Sequence, residues 1–327
     1  MGVIDMARKA AVVLPAELAA QSAARERSAT EARLATRMLE KTMEILVRHA
    51  PADVAVEWKR QIVAALVDGR SDIGPEEPPE AGDVTSRQVE AIWSSVRDWY
   101  RSGVHPALQV CVRRHGAVIL NRAIGHASGN GPSDGRDTPR VPATVQTPFC
   151  VYSLSKAITA FVVHKLIERG LLTLEDPVAD YIPGYEKNRK HRITIGQVLA
   201  HRAGVPNLPS SALDLDRLAD RQFLVEILAD AEPFAKPGKY LAYHAVSGGF
   251  ILGEIVHAVT GQDIRTVLAE EFLDPLGFHW TNYGVAAQDV GSVARNYITG
   301  PPTAPPLSTM LSRALGVGLD KLVHLTN

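Results

Sequence analysis

Apolar positions in the first part of the chain recur at helical spacing. Between Pro15 and about Ala50, Leu18, Leu34, Ala35, Met38, Met43, Ile45 and Leu46 stand among Arg, Glu and Lys, which predicts one long amphipathic helix. A second helix is expected from Val54 to Val67. Residues 1–73 are read together as a helical extension, and 74–84, rich in Pro, Gly and Glu, as a linker. At Thr85 the signals sharpen. Thr85 and Gln88 form a capping box, with Val84 and Val89 as a hydrophobic staple, so a helix should run from Thr85 to about Ser102. The period then drops to two. Leu108, Val110 and Val112, a turn at His115-Gly116, and Val118, Leu120 and Ile124 predict a β-hairpin, followed by a loop from Gly125 to Pro142. Beyond Ser153, the apolar residues Leu154, Ala157, Ile158, Phe161, Val162 and Leu166 predict a helix buried over much of its circumference and stopped by Gly170. Thr194 and Gln197 open another helix with a capping box, ending at His201, and a further helix should contain Ser247 and reach Val259.

Composition narrows the class. With 46% hydrophobic and 22% charged residues and a formal charge of −1, the chain of 327 residues can bury a sizeable core and offers no electrostatic drive toward nucleic acid. The dense basic run Lys187-Asn188-Arg189-Lys190-His191-Arg192 is read as a solvated loop. Pro15 and Glu17 interrupt the early apolar run, and no stretch approaches the ~20 apolar residues that span a bilayer. A cytoplasmic location without a membrane span is therefore expected. Cys111 and Cys150 are too few for a disulfide framework, and both are expected as thiols.

Chemistry concentrates at Ser153 and Lys156. A hydroxyl and an amine three positions apart at a helix start lie on one face, one turn apart, and form a self-contained nucleophile and base. Serine attacks only once a base takes its proton, and a lysine does so at neutral pH only if burial or a cationic neighbour favours its neutral form. A water-poor cleft is therefore expected around the pair. Serine–lysine pairs also arise by chance as a cap and a solvated amine, so the buried helix around this one carries weight. Three other readings compete. Ala245-Val246-Ser247-Gly248-Gly249 resembles a degraded nucleophile elbow, although Ser247 reads as helical rather than as a strand-to-helix turn. Cys150 lacks any evident base. The eleven histidines show no metal-ligand spacing, so no metal or cofactor is implied; His201 reads as a helix-end residue, and His244 as lining the pocket or facing outward.

Ordered segments around this pair carry a family resemblance. They are Gly170 to Val178 with Tyr181-Ile182-Pro183, Ile193 to Val205, Pro237-Gly238 with Tyr243-His244-Ala245, and Leu252-Gly253-Glu254-Ile255 with Thr260-Gly261. Together with Ser153-x-x-Lys156, this stretch from about Trp99 to about Thr281 resembles the serine β-lactamase and penicillin-binding-protein superfamily, in particular the class C-like branch that includes the family VIII carboxylesterases. The resemblance implies an α+β, β-lactamase/transpeptidase-like domain over 85–327. It implies Ser153, Lys156 and Tyr243 as the catalytic set, with Tyr243 passing protons between nucleophile and leaving group. Two departures stand out. Ala245 replaces the asparagine of the family's Tyr-x-Asn motif, which argues against β-lactam or peptidoglycan-peptide recognition. No strand-like run after Thr281 carries the family's Lys-Thr-Gly or His-x-Gly triplet, so the domain is expected to be truncated at its C-terminus with an incomplete sheet. The implied function is a carboxylesterase-like serine hydrolase acting on a small-molecule ester without a cofactor; the oligomeric state is unread. The alternatives are a β-lactamase or D-alanyl-D-alanine peptidase, and a catalytically impaired remnant or interaction module.

Overall fold

In the computed structural model, the residues described are 71–299, apart from 133, 136, 209–216, 218 and 219. The two helices expected within 15–67 and the stretch from 300 to 327 lie outside them.

Alternation produces the hairpin where expected. β2 (Ala107–Arg114) and β3 (Ala117–Ser128) pair antiparallel, with Leu108 opposite Ile124, Val110 opposite Arg122 and Val112 opposite Leu120. His115 and Gly116 at its tip both have positive φ, the backbone that a two-residue type I′ turn requires. β3 is longer than the sequence predicts, extending through Gly125 to Ser128, and it pairs there with β4 (Val141–Pro142) through His126 and Ser128. The loop expected over 125–142 is thus bounded by strand. Gly125 permits this: at φ +97, a Cβ there would lie 2.3 Å from the Pro106 carbonyl oxygen, so only glycine lets the neighbouring backbone come so close.

The other edge of β3 holds a second difference. Ser71–Ile73, the end of the expected helical extension, is a short strand, β1, opposite Arg122 to Ile124. The expected linker behind it is fastened to β3. Gly74 N–H donates to the Asn121 carbonyl at 2.9 Å and Glu77 N–H to that of Val118 at 2.7 Å, while the Glu76 carboxylate accepts from Arg122 Nε at 2.7 Å and from Asn121 N–H at 2.9 Å. The proline-rich composition that reads as linker here serves an edge of the sheet, where missing N–H groups cost nothing. The sheet order is β1-β3-β2.

α1 (Ser86–Arg101) carries the expected capping box and lays Val89, Trp93, Val96 and Tyr100 on Ile119, Leu120 and Ile124 of the sheet. Each such large side chain removed from water contributes roughly 1.5–3 kcal/mol. A second core belongs to helices. α2 (Ser155–Glu168) and α5 (Ser247–Thr260) pack with α3 (Ile195–Leu199), α4 (Arg221–Asp230) and α6 (Ile264–Leu268) around Val178, Ile182, Ile193 and Tyr185. Gly170 and Gly261, both left-handed, stop α2 and α5. α2 is buried along one stripe, Thr159, Val162, Val163 and Leu166, rather than around its circumference. Phe161 remains 62% exposed, edge-on to Phe272, because the core meets only one side of the helix.

The basic loop is not wholly solvated. Lys190 is fully buried, its ammonium donating to the Ala229 and Ala231 carbonyls at 2.6 and 2.7 Å and lying over the Tyr185 ring. It satisfies the carbonyl end of α4, a need that sequence neighbours of Lys190 do not reveal. Burial, chiefly, lowers its pKa to about 8.

Candidate active site

Ser153 lies in a single 3-10 turn, Tyr152–Leu154, that leads directly into α2. Lys156 is the second residue of that helix, and its Nζ donates to Ser153 Oγ at 3.4 Å. The expected neighbourhood of amine and hydroxyl is therefore present, set by local geometry alone. Tyr152, immediately before Ser153, has φ +45. A left-handed residue other than glycine costs about 1–2 kcal/mol, a strain stored next to Ser153.

Tyr243 comes from far along the chain. It sits in the irregular segment that precedes α5, and its hydroxyl shares a hydrogen bond with Ser153 Oγ. The Lys156 ammonium stands 5.0 Å from the centroid of the Tyr243 ring. Partial burial pushes the phenol up, but hydrogen bonds from Ser153 and Lys156 and the charge of the ammonium outweigh it, so Tyr243 lies below the ordinary tyrosine value of 10.0. In its ionised form, a phenol so placed can accept the proton of the serine hydroxyl.

Two histidines stand behind Tyr243. The His201 ring is 5.1 Å from that of Tyr243 and 5.8 Å from that of His244. His244 is fully buried: its Nε2 accepts the Val205 N–H at 3.2 Å and its Nδ1 donates to the Ala242 carbonyl at 2.5 Å, so the ring is held neutral with its proton on Nδ1. It neither lines a pocket nor faces outward; it is a hydrogen-bonded part of the core, and burial lowers its pKa below 6.5. His201 lies two residues beyond the last residue of α3. Its imidazole turns away from a helix-end role and accepts the His244 N–H at Nδ1, 3.1 Å away.

Ser247 opens α5 with its hydroxyl buried and donating to the Val205 carbonyl at 2.7 Å. It is a structural tie and has no access to a substrate. Cys150 is a half-buried free thiol, and Cys111 an exposed one. Among the described residues, no group of three or more His, Cys, Asp or Glu is placed to hold a metal ion.

The expected water-poor setting is not built by the described residues. Ser153 is exposed and Tyr243 keeps 41% of its surface, and Tyr152, Leu154, Tyr240 and Leu241 nearby in the chain are also exposed apolar residues. From 281 to 299 no strand occurs, and the segment offers turns and a short 3-10 helix, Ala287–Ser292. What sequence reasoning missed is the pair His201 and His244 as a support for Tyr243; their adjacency to helix ends and to Tyr243 was visible, but their mutual contact required the fold.

Comparison with known proteins follows the same lines. Residues 63–317 match the family model described as Beta-lactamase. Among curated relatives, the chain is 39% identical over 136 residues to "Esterase/beta-lactamase LipL" of Mycobacterium tuberculosis, covering 42% of this chain and 31% of that protein. It is 29% identical over 188 residues to "Penicillin-binding protein 4" of Amycolatopsis lactamdurans, covering 54% and 47%. The chain thus spans less than half the length of these two relatives. Among solved structures, it is similar to a family VIII carboxylesterase, with a TM-score of 0.57 and 27% identity over 68% of this chain and 57% of that one. A penicillin-binding protein homologue from Caulobacter crescentus shares the fold at a TM-score of 0.59 and 23% identity, over 76% and 63% of the two chains.

Proposed function

We propose that this chain, which belongs to the Beta-lactamase family, is a carboxylesterase-like serine hydrolase that works through an acyl-enzyme on Ser153. The observation that carries the reading is the convergence of Tyr243 on Ser153 across ninety residues, with Lys156 beside both. In the proposed reaction, Ser153 Oγ attacks the ester carbonyl while its proton passes to Tyr243, whose ionised form the Lys156 ammonium stabilises. The Ser153 N–H, near the start of a helical turn where the first donors have no intrahelical acceptor, faces the developing oxyanion. Tyr243 returns the proton to the leaving alcohol, and a water molecule deacylates the serine by the same route.

The ester preference rests on Ala245, which supplies no amide where the β-lactam-recognising relatives of the family place one, and it accords with the family VIII carboxylesterase among the similar solved structures. Among the described residues no helix is long and apolar enough to cross a membrane. A cytoplasmic site of action is part of the proposal, supported by two unpaired thiols.

Hydrolysis of p-nitrophenyl acetate and butyrate tests it. Purified protein should turn both over, and Ser153→Ala should abolish the activity. Turnover that survives in Ser153→Ala overturns the assigned nucleophile; a folded wild type with no turnover overturns the esterase reading in favour of a catalytically silent member of the family.

A further inference from the structure

The stop of α3 is built against the local rule. Arg202 N–H donates to the Gln197 carbonyl at 2.7 Å and His201 N–H to the Val198 carbonyl at 3.0 Å, the paired bonds of a Schellman motif. The residue that such a stop turns left-handed is normally glycine, which takes that backbone without a steric cost. Here it is His201, at φ +57. A β-carbon tolerated at that position needs an explanation in what the side chain does.

Its contacts converge on one neighbour. The His201 carbonyl accepts the Ala242 N–H at 3.0 Å, and His201 Nδ1 accepts the His244 N–H at 3.1 Å. The residues immediately before and after Tyr243 are thus both tied to His201, and the ring itself stands 5.1 Å from the phenol ring between them. Backbone bonding alone would need only the carbonyl, which a glycine provides equally well. The imidazole adds the second tie and the lateral support.

We propose that His201 is a positioning residue that holds the Tyr243 phenol against Ser153, by fixing the backbone on both sides of Tyr243 and bracing its ring. The inference rests on the acyl-transfer reading for its catalytic meaning, and on geometry for its structural one. The titratable groups facing His201 are Lys156 from α2 and Tyr243 and His244 from the segment before α5. Burial first, and the Lys156 charge second, lower the His201 pKa below 6.5. The neutral imidazole is the form the geometry needs, because a protonated Nδ1 loses its acceptor lone pair and releases the His244 N–H.

Two substitutions in the full chain separate ring from backbone. His201→Gly keeps the left-handed turn and deletes the ring; His201→Asn also tolerates that turn and offers an amide oxygen near the place of Nδ1. The expected result is that His201→Gly lowers kcat roughly 10- to 100-fold with KM changed by no more than about threefold and no loss in the urea midpoint of unfolding, while His201→Asn recovers most of kcat. Retained kcat in His201→Gly, or an Asn variant as impaired as the Gly one, overturns the proposal. A readout without turnover is the phenolate absorbance of Tyr243, taken as the difference between each protein and its Tyr243→Phe counterpart. Its ionisation should move upward toward the ordinary tyrosine range in His201→Gly and stay low in His201→Asn; an unmoved titration in the Gly variant overturns the proposal. If the wild type hydrolyses no ester, the esterase reading falls by itself, and the phenolate titration alone decides the role of His201.

Discussion

Ser153 has two partners that reach it by opposite means. Lys156 arrives through three residues of continuous helix, and its distance from the hydroxyl follows from helical geometry. Tyr243 arrives across ninety residues on a segment with no regular structure, held by the hydrogen bonds that its neighbours Ala242 and His244 make to His201 and Val205 rather than by its own element. The local partner is secured by the element that presents Ser153. The remote partner is secured by two histidines of different depth: loss of the fully buried His244 should act on chemistry and stability together, loss of the half-buried His201 on chemistry alone. One site therefore contains a side that tolerates change elsewhere in the fold and a side that does not.

The largest effect that tests this contrast is on turnover. Lys156→Met and Tyr243→Phe should each lower ester kcat/KM by about 10²- to 10⁴-fold, the usual worth of a proton-transferring group, and both should unfold within about 0.5 kcal/mol of wild type because neither side chain is fully buried. Urea titration alongside the kinetics checks both halves of the statement. Next comes His244→Ala, which removes a fully buried ring and strands the Val205 N–H; it should cost about 2–4 kcal/mol in urea denaturation, with turnover falling as well. A corresponding cost for Lys156→Met would erase the proposed difference between the two sides.

Acid should produce a smaller, graded effect. His201 and His244 both have pKa values lowered beneath 6.5 in the folded chain, so the unfolded chain binds protons more readily. Their contribution to stability is complete above pH 6.5 and is lost progressively as pH falls below it toward their folded values. The urea midpoint should decline from pH 7 to pH 5 (roughly the window set by an ordinary histidine), and less steeply in His201→Asn. A midpoint that rises over this interval would contradict the neutral state of both rings. The smallest expected change is in Ala245→Asn, which should raise acylation by a chromogenic β-lactam by about 2- to 10-fold, the worth of one net hydrogen bond, and leave ester turnover near wild type.

The same division explains what the sequence reveals. The Thr85–Gln88 and Thr194–Gln197 capping boxes, the hairpin turned at His115-Gly116, and the Ser153–Lys156 pair all depend on residues within a few positions of one another, and each stands where the pattern placed it. Tyr243 was reachable only through family resemblance, since nothing within its own neighbourhood marks a partner ninety residues away. β1 was unreadable because three residues gain strand character only by pairing with β3, and the 74–84 segment looked like a linker because its partners, Asn121 and Arg122, lie in that same strand. Phe161 reads as core by composition yet faces out, since apolar content around a helix does not say how many sides the fold covers. Ser247 is the converse: a small polar residue in a Gly-rich run that suggests an elbow, fixed inward by a carbonyl more than forty residues upstream.

Lys190 gives the molecule an intrinsic gauge of its own integrity. An amine with no accessible surface, plugging the end of α4 beneath an aromatic ring, is shielded from acylating reagents for as long as that end stays shut. Mass spectrometry after brief exposure to such a reagent would find this amine unmodified in intact molecules and labelled in those that had opened, so the rate of its labelling times the local opening of the helical half.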